Sequence, residues 1–307
     1  MYKEELFKKI DEIEQYAKAS RFYRLYHTPA RYLNAAFFNK LIYPFTRREK
    51  HTDITTFFDA KIRIALPAGT DLYLIGAKSH ESEIRLARFL MNRLDEGNCF
   101  VDVGAHFGYF SLLASMLVGE SGKVVVFEAA QKNFSLLQRN CAPFKNIQLY
   151  NNAVSDKSEI LTFYEFPALY SEYNTVDIAQ FENEPWFERY PPQKLEVQSL
   201  TLDETLLTLD LESSIIKIDV EGAEFKVISG MIALLEKYPL VIVMEYLNPS
   251  RHNTEHQKAA ELLRSKGYEQ FIILHGGDLQ KIADIDKYLL KGNFESDNIV
   301  FKKPFER

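Results

Sequence analysis

The sequence predicts an α/β fold in which a mostly parallel seven-stranded sheet carries helices on both faces and follows a helical N-terminal region. Three observations carry this expectation. From residue 98 onward, short β-branched apolar runs alternate with helical patterns, the signature of strand–helix–strand units. Several of those runs end in an acidic residue or a glycine, at the carboxyl ends where a parallel sheet places its ligand crevice. The longest apolar stretches, such as PLVIVM at 239–244, fall far short of the roughly 18 residues a spanning helix needs.

In chain order, strands are expected at 99–103, 123–128, 147–154, 214–219, 241–246, 270–275 and 298–303, with helices at 107–118, 131–141, 223–236 and 254–266. The two last apolar runs, FIILHG and NIVFKK, belong together at one edge of the sheet. Residues 156–211 do not fit the alternation. They hold strand-like EILTFYEF and KLEVQSLTL around the aromatic ENEPWFERYPP, and an insertion of that length at the strand-end face reads as a lid or a substrate platform. Within it Trp186 is suited either to stacking on a sugar ring or to packing beneath the lid. The expected organisation is a mainly helical accessory region over 1–75 and a catalytic domain over 76–307.

At 307 residues and 46% hydrophobic composition the chain can bury a full core. Its formal net charge of −6 gives no global reason to expect a nucleic-acid partner. Two cysteines, Cys99 and Cys141, form neither a disulfide framework nor a metal motif. His252, His256 and His275 likewise lack metal-ligand spacing. The charged start MYKEELFKKIDEIEQ lacks the apolar core of a secretory signal, and the expected location is the cytoplasm or the inner face of its membrane. One local basic feature stands out. Between Glu14 and Glu49 there is no acidic residue, while Lys18, Arg21, Arg24, Arg31, Lys40, Arg47 and Arg48 alternate with nine Tyr and Phe residues. Residues 15–48 therefore suit a peripheral membrane or glycolipid contact, or they pack on the catalytic domain with the cations solvated.

The junction CFVDVGAHFGYF turns a buried strand into a helix through Asp102, Gly104, His106 and Gly108. A dinucleotide fingerprint would read G-x-G-x-x-G with the helix start kept clear for a pyrophosphate. Here the spacing is D-x-G-x-x-x-G, and a carboxylate before the first glycine suits an ammonium instead. The next strand, KVVVFEAA, ends in Glu128, where an acid accepts both ribose hydroxyls of an adenosine. A nucleoside with a cationic amino-acid tail fits both places, and S-adenosylmethionine is such a molecule. The backbone around Ala153 and Val154, with Asn152 or Asp156 beside it, is placed to read the adenine edge. His106 is placed to contact the cofactor's carboxylate, to act as a base, or simply to hold the loop.

A second block, SIIKIDVEGAEFKVISG, ends its strand in Asp219 and turns through Glu221 and Gly222 to Glu224. The following strand, LVIVMEY, ends in Glu245. Asp219, Glu221 and Glu245 thus converge where a transferable methyl belongs. Methyl transfer to an alcohol needs alignment and removal of a proton. Burial would raise the pKa of these carboxylates and fit one as a general base; equally, they can hold a divalent metal that acidifies the hydroxyl. Glu224, in the first helical turn, reads as a helix-start carboxylate.

Together FVDVGAHFGYFSLLAS, VVVFEAAQKNFSLLQRN, NNAVSD, SLTLDETL, IIKIDVEGAEFKVISG and DNIVF resemble the FkbM-family methyltransferases, a branch of the Rossmann-like class I enzymes that use S-adenosylmethionine. The resemblance spans roughly residues 80–303. It implies O-methylation of a hydroxyl, on a carbohydrate of a glycan or glycolipid or on a small natural product. It also implies that Asp102, Gly104 and Gly108 form the first cofactor motif, that Glu128 is the ribose acid, that Asn133 is the asparagine on the next helix, and that Asp219, Glu221, Gly222 and Glu224 form the second block. His106 stands where the family usually has asparagine, and Ala129 where it usually has proline. The alternative class of function is a non-catalytic module that recruits partners through its basic aromatic N-terminal segment.

Overall fold

The structure, a computed structural model, describes residues 2–251 and 253–304. Helix α1 (Tyr2–Lys18) is followed by α2 (Arg21–His27) and by α3 (Pro29–Phe37), which continues through a π turn at Phe38–Ile42 into α4 (Tyr43–Thr46). Pro29 opens α3 at a position where its missing N–H costs nothing, and Arg47 closes α4 in the left-handed region at φ 55°. The antiparallel hairpin β1 (Lys50–Thr55) and β2 (Lys61–Leu66) and the short α5 (Thr70–Ile75) complete this region. The hairpin was not apparent in a segment expected to be mainly helical. Its strands are held by burial of Ile62, Ile64 and Leu66 under their neighbours, a non-local effect that outweighs local propensity.

Helix α6 (Glu81–Arg93) buries two arginines beside its apolar face. Arg85 meets both carboxylate oxygens of Asp297 at 2.8 Å. Arg88 reaches Asp11 at 2.6 Å and Glu14 at 2.7 Å. α6 is thereby tied to the sheet on one side and to α1 on the other.

The alternating part follows the expected order: β3 (Cys99–Val103), α7 (Tyr109–Val118), β4 (Lys123–Phe127), α8 (Gln131–Cys141) and β5 (Ile147–Tyr150). The chain then leaves the main sheet. β6 (Ala153–Val154), β7 (Ile160–Glu165) and β8 (Gln193–Leu200) form a three-stranded sheet ordered β6-β8-β7. It returns through α9 (Leu202–Leu206), β9 (Ser214–Ile218), α10 (Glu224–Ser229), α11 (Ile232–Lys237), β10 (Val241–Leu247), α12 (Thr254–Ser265), β11 (Glu269–Ile273), β12 (Leu279–Lys281), α13 (Ile285–Gly292) and β13 (Ser296–Lys302).

The central sheet runs β12-β11-β13-β10-β9-β3-β4-β5. Its pairs from β10 through β5 are parallel, and β13 lies antiparallel between β10 and β11. Alternate side chains feed two cores. Phe100, Val124, Val126, Ile215 and Val243 face α6 and α7, while Val101, Val125, Ile216, Ile218 and Met244 face α10, α11 and α12.

Three expectations need correction. The sheet has eight strands, because the three-residue β12 pairs at the edge without an apolar run to announce it. The strand expected over 147–154 divides after Tyr150, where the Asn151 side chain caps the carbonyl of Glu128 at 2.9 Å. The helix expected over 223–236 divides at Gly230. A Cβ there would lie 2.1 Å from the Ser155 carbonyl oxygen, so the root of the insertion presses on this point and interrupts the helix.

Candidate active site

The chain passes from β3 outward to β4 and β5, then returns to the other side of β3 as β9. That reversal opens a crevice at the strand ends. Register pairs Val103 with Ile218, which sets Gly104 against Asp219. A Cβ on Gly104, whose φ is +84°, would lie 1.8 Å from the Asp219 carbonyl oxygen. Only bare backbone fits, and the ends of β3 and β9 are locked together.

A cavity of about 680 Å³ opens above this junction, within the range of ligand clefts. It is lined by Gly104, Ala105, His106, Glu128, Asn133, Asn152, Ala153, Val154, Asp219, Glu221 and Glu245, and on its far side by Tyr16, Thr70, Lys78, Glu172 and Tyr173. Most of the sequence-predicted site is thus brought together. Eight acidic side chains and the basic Lys78, Lys217 and Arg251 stand around it.

Glu128 is buried at the end of β4, accepting the N–H of His106 at 2.7 Å and that of Ala130 at 2.9 Å. Burial pushes its pKa up to about 7, against the opposing pull of those N–H groups and of the Asn133 side chain. Asn133 acts through this contact and itself lines the cavity. His106 adopts φ 52°, and its Nε2 lies 3.0 Å from Ser171 Oγ. Burial lowers its pKa to about 4, so the ring is neutral near pH 7 and is not a cationic partner for a carboxylate. The Asn152 amide donates to the Gln198 carbonyl at 3.1 Å, leaving the backbone at Ala153 and Val154 against the cavity.

Two predicted cofactor residues stand elsewhere. Asp102 does not line the cavity: it is 1% exposed, accepts from Ser111 Oγ at 2.6 Å and lies 3.5 Å from Lys217 Nζ. The cation it meets is a lysine of this chain, because its side chain points off the sheet beneath α7. Gly108 starts α7 at φ +88°, and a Cβ there would lie 2.6 Å from Leu137 Cδ1. It serves the packing of α7 on α8. Trp186 stacks on Tyr170 with ring centroids 3.9 Å apart and edges against Phe166. It is part of the insertion's own aromatic core, as the packing alternative expected.

Asp219, Glu221 and Glu245 do converge, each offering a carboxylate oxygen within 4.8 Å of the others. They are not equivalent. Burial pushes Asp219 up, but Lys217, 3.1 Å away, outweighs it and holds the carboxyl below its ordinary range. Asp219 is therefore an ionised fixture, contrary to the expectation that burial would raise it. Glu221 and Glu245 are raised well above the usual carboxylate range, first by burial and then by the charges of Glu245 and Asp219 respectively. Ser296 donates to Glu245 at 2.8 Å.

Glu221 and Gly222 both take positive φ, at 52° and 90°. The turn is held by Thr175 Oγ1 at 2.6 Å and Gln180 Nε2 at 2.8 Å, both donating to the Glu221 carbonyl. The insertion is thus fastened over the carboxylate cluster. Glu224 pairs instead with His256 at 3.3 Å beneath the site. His275 pairs with Glu14 at 2.9 Å, and His252 lies outside the described residues.

Lys217 was missed in the sequence, although a lysine inside the apolar run SIIKI is its own signal: such a charge is retained only where partners exist. Burial lowers its pKa, yet Asp219 and Asp102 together raise it overall. A second ionic group was also missed, because its members come from distant segments. Lys78 bonds Glu172 of the insertion and lies 3.4 Å from Glu83, across the cavity from the strand tips.

The crevice, the bare glycine backbone and the acidic strand tips belong to a Rossmann-like fold, and the chain's family is one of methyltransferases that use S-adenosylmethionine. The chain matches the family described as "Methyltransferase FkbM domain" over residues 102–269, more than half its length, and it belongs to that family. A comparison with curated proteins gives no match. Among solved structures it is similar to methyltransferase FkbM from Methylobacillus flagellatus, at 13% identity and TM-score 0.44, over 94% of this chain and 62% of that one. An S-adenosylmethionine-dependent O-methyltransferase from Thermotoga maritima gives 13% identity and TM-score 0.40, over 83% of this chain and 78% of that one. Aeropyrum pernix fibrillarin with bound S-adenosylmethionine gives 12% and 0.38, over 71% of this chain and 74% of that one.

Proposed function

We propose that the protein transfers a methyl group to a hydroxyl oxygen of a sugar, in a glycan or glycolipid. The observation that carries this reading is the convergence of Asp219, Glu221 and Glu245, whose carboxylate oxygens lie within 4.8 Å of one another, with Lys217 3.1 Å from Asp219 and burial raising the proton affinity of the other two. Transfer to oxygen is the case that needs such a group, since an alcohol must lose its proton as the new bond forms.

The proposed cofactor seat is the bare backbone at Gly104, the Glu128 carboxylate toward the ribose, and the backbone at Ala153 and Val154 toward the base. The residues fit the group: Gly104 leaves no side chain in the way, and Glu128 has lone pairs beyond those taken by the two N–H groups. S-adenosylmethionine supplies an electrophilic methyl on a sulfonium. Glu245 or Glu221 would take the acceptor's proton as the methyl passes from sulfur to oxygen and a neutral thioether is left, and the ionised Asp219 would face the cationic donor. The polar wall formed by Tyr173, Arg251, Ser296 and Asn298 suits an acceptor with several hydroxyls. In this reading Asp219, Glu221 and Glu245 act as fixture and base; the other use of the three oxygens is to hold a divalent cation.

Calorimetry with S-adenosylmethionine, followed by transfer of labelled methyl to a panel of sugars and phenols with and without chelator, tests the proposal. It expects cofactor binding that Glu128→Ala weakens, label in a sugar, and turnover that survives chelation. Label in phenols alone would move the acceptor to a small natural product. Chelator-sensitive turnover would assign the cluster to a metal.

A further inference from the structure

Seven of the eleven large apolar side chains that remain exposed among the described residues lie between Phe22 and Phe45. Phe22 and Tyr26 of α2 are 85% and 84% exposed. Leu33, Phe37, Leu41 and Phe45 follow at intervals of four along α3, the π turn and α4. A regular helix rotates such a series by about 40° per step. The wider π turn at Phe38–Ile42 takes up that rotation and keeps the four in a row. The opposite side of the same helix buries Ala35, Phe38 and Tyr43. The row is therefore a second apolar face, presented outward.

Arg31, Lys40 and Arg48 are exposed on the same segment, and no acidic residue occurs between Glu14 and Glu49 in a chain of net charge −6. We infer that α2 to α4 dock on an anionic lipid bilayer. Protruding aromatics and leucines flanked by cations suit the headgroup boundary, where apolar side chains enter the acyl region and Lys and Arg meet anionic headgroups. A second copy would set like charges against each other across a two-fold contact.

The helix that carries the docking face is tied to the cavity by its inner side. The side chain of Asn39 donates to Thr70 Oγ1 at 3.0 Å, and Thr70 lines the cavity wall with Tyr16 and Ala17 of α1. Tyr43 Oη accepts the N–H of Leu169 at 3.2 Å, in the segment of the insertion that also supplies Ser171 and Glu172 to the cavity. The inner side of the docking helix thus packs on the cavity wall, which sets the cavity about one helix thickness from the bilayer. This deepens the proposed reading by placing the acceptor at a membrane, while the docking itself does not depend on methyl transfer.

Co-sedimentation of the full chain with phosphatidylglycerol or phosphatidylcholine vesicles, at low and high salt, tests it. The expected result is strong partition to phosphatidylglycerol, weaker partition to phosphatidylcholine, and release by salt. The double variant Leu41→Glu, Phe45→Glu is expected to lose about tenfold or more of this partition, with S-adenosylmethionine affinity unchanged by calorimetry. Absence of partition to phosphatidylglycerol overturns the inference, as does partition that the double variant leaves intact. It is equally overturned by a concentration-dependent dimer in ultracentrifugation that the double variant dissolves without vesicle binding, or by heparin binding as tight as the vesicles. None of these outcomes requires turnover.

Discussion

Two residues separate what position and environment contribute. Asp219 and Glu245 end neighbouring parallel strands in the same chemical guise, yet Lys217 lies beside one, while the other meets a serine hydroxyl and the carboxyl groups of Asp219 and Glu221. Glu245→Gln is expected to lower turnover by about 10² to 10⁴ with little change in cofactor affinity, measured by labelled-methyl transfer and calorimetry. If a carboxyl with a raised pKa is the base, the rate climbs with pH along a limb lying above the ordinary carboxylate range, because only the deprotonated form accepts the hydroxyl proton. A pH–rate profile in the wild type and in Glu221→Gln checks it. Glu128 gives a separate prediction: with its carboxyl at about pKa 7, S-adenosylmethionine affinity falls as pH drops through 7 and acceptor lone pairs are lost. Glu128→Gln is expected to flatten that dependence.

At the scale of elements, α1 is held on α6 by a compact ionic group. Burial pushes the Glu14 carboxyl up, but hydrogen bonds from Lys18 and Arg88 and the charge of Arg88 outweigh it and hold the pKa at about 2. A depressed native pKa stabilises the fold above the unfolded value near 4.5, and that contribution is lost as pH falls from there toward 2. Arg88→Ala leaves Glu14 buried without its main partner and is expected to cost about 3 kcal/mol. Thermal unfolding near pH 7 and near pH 3 checks both statements: the wild type loses stability on acidification, and the variant loses less because it has already lost the pair. The insertion is fastened differently, by Thr175 and Gln180 on the Glu221 carbonyl. Replacing both with alanine is expected to remove about 1–3 kcal/mol of hydrogen bonding. It should raise the KM for acceptor while S-adenosylmethionine affinity changes little.

For the whole molecule, the order of parallel strands and the places where they end follow from local pattern. Runs such as CFVDV, KVVVF and SIIKI are long enough to be buried on both sides, and the residues after them necessarily sit at one face of the sheet. Gly104, Glu128, Asp219 and Glu245 were legible for that reason. What pattern does not encode is which side chain turns toward the crevice and which toward a helix. Asp102 and Gly108 share the motif with Gly104, but Asp102 lies beneath α7 beside Lys217 and Gly108 carries the contact of α7 with α8. The ionic group of Lys78, Glu83 and Glu172 joins the end of α5, the start of α6 and the insertion, segments whose meeting no local period announces. The sequence by itself determined the parallel sheet, its acidic strand tips and the family to which the chain belongs, because period and residue type act locally. Only the tertiary structure decided how protons are shared among the three carboxylates and which aromatics face outward, because both depend on charges and surfaces that come together from distant parts of the chain.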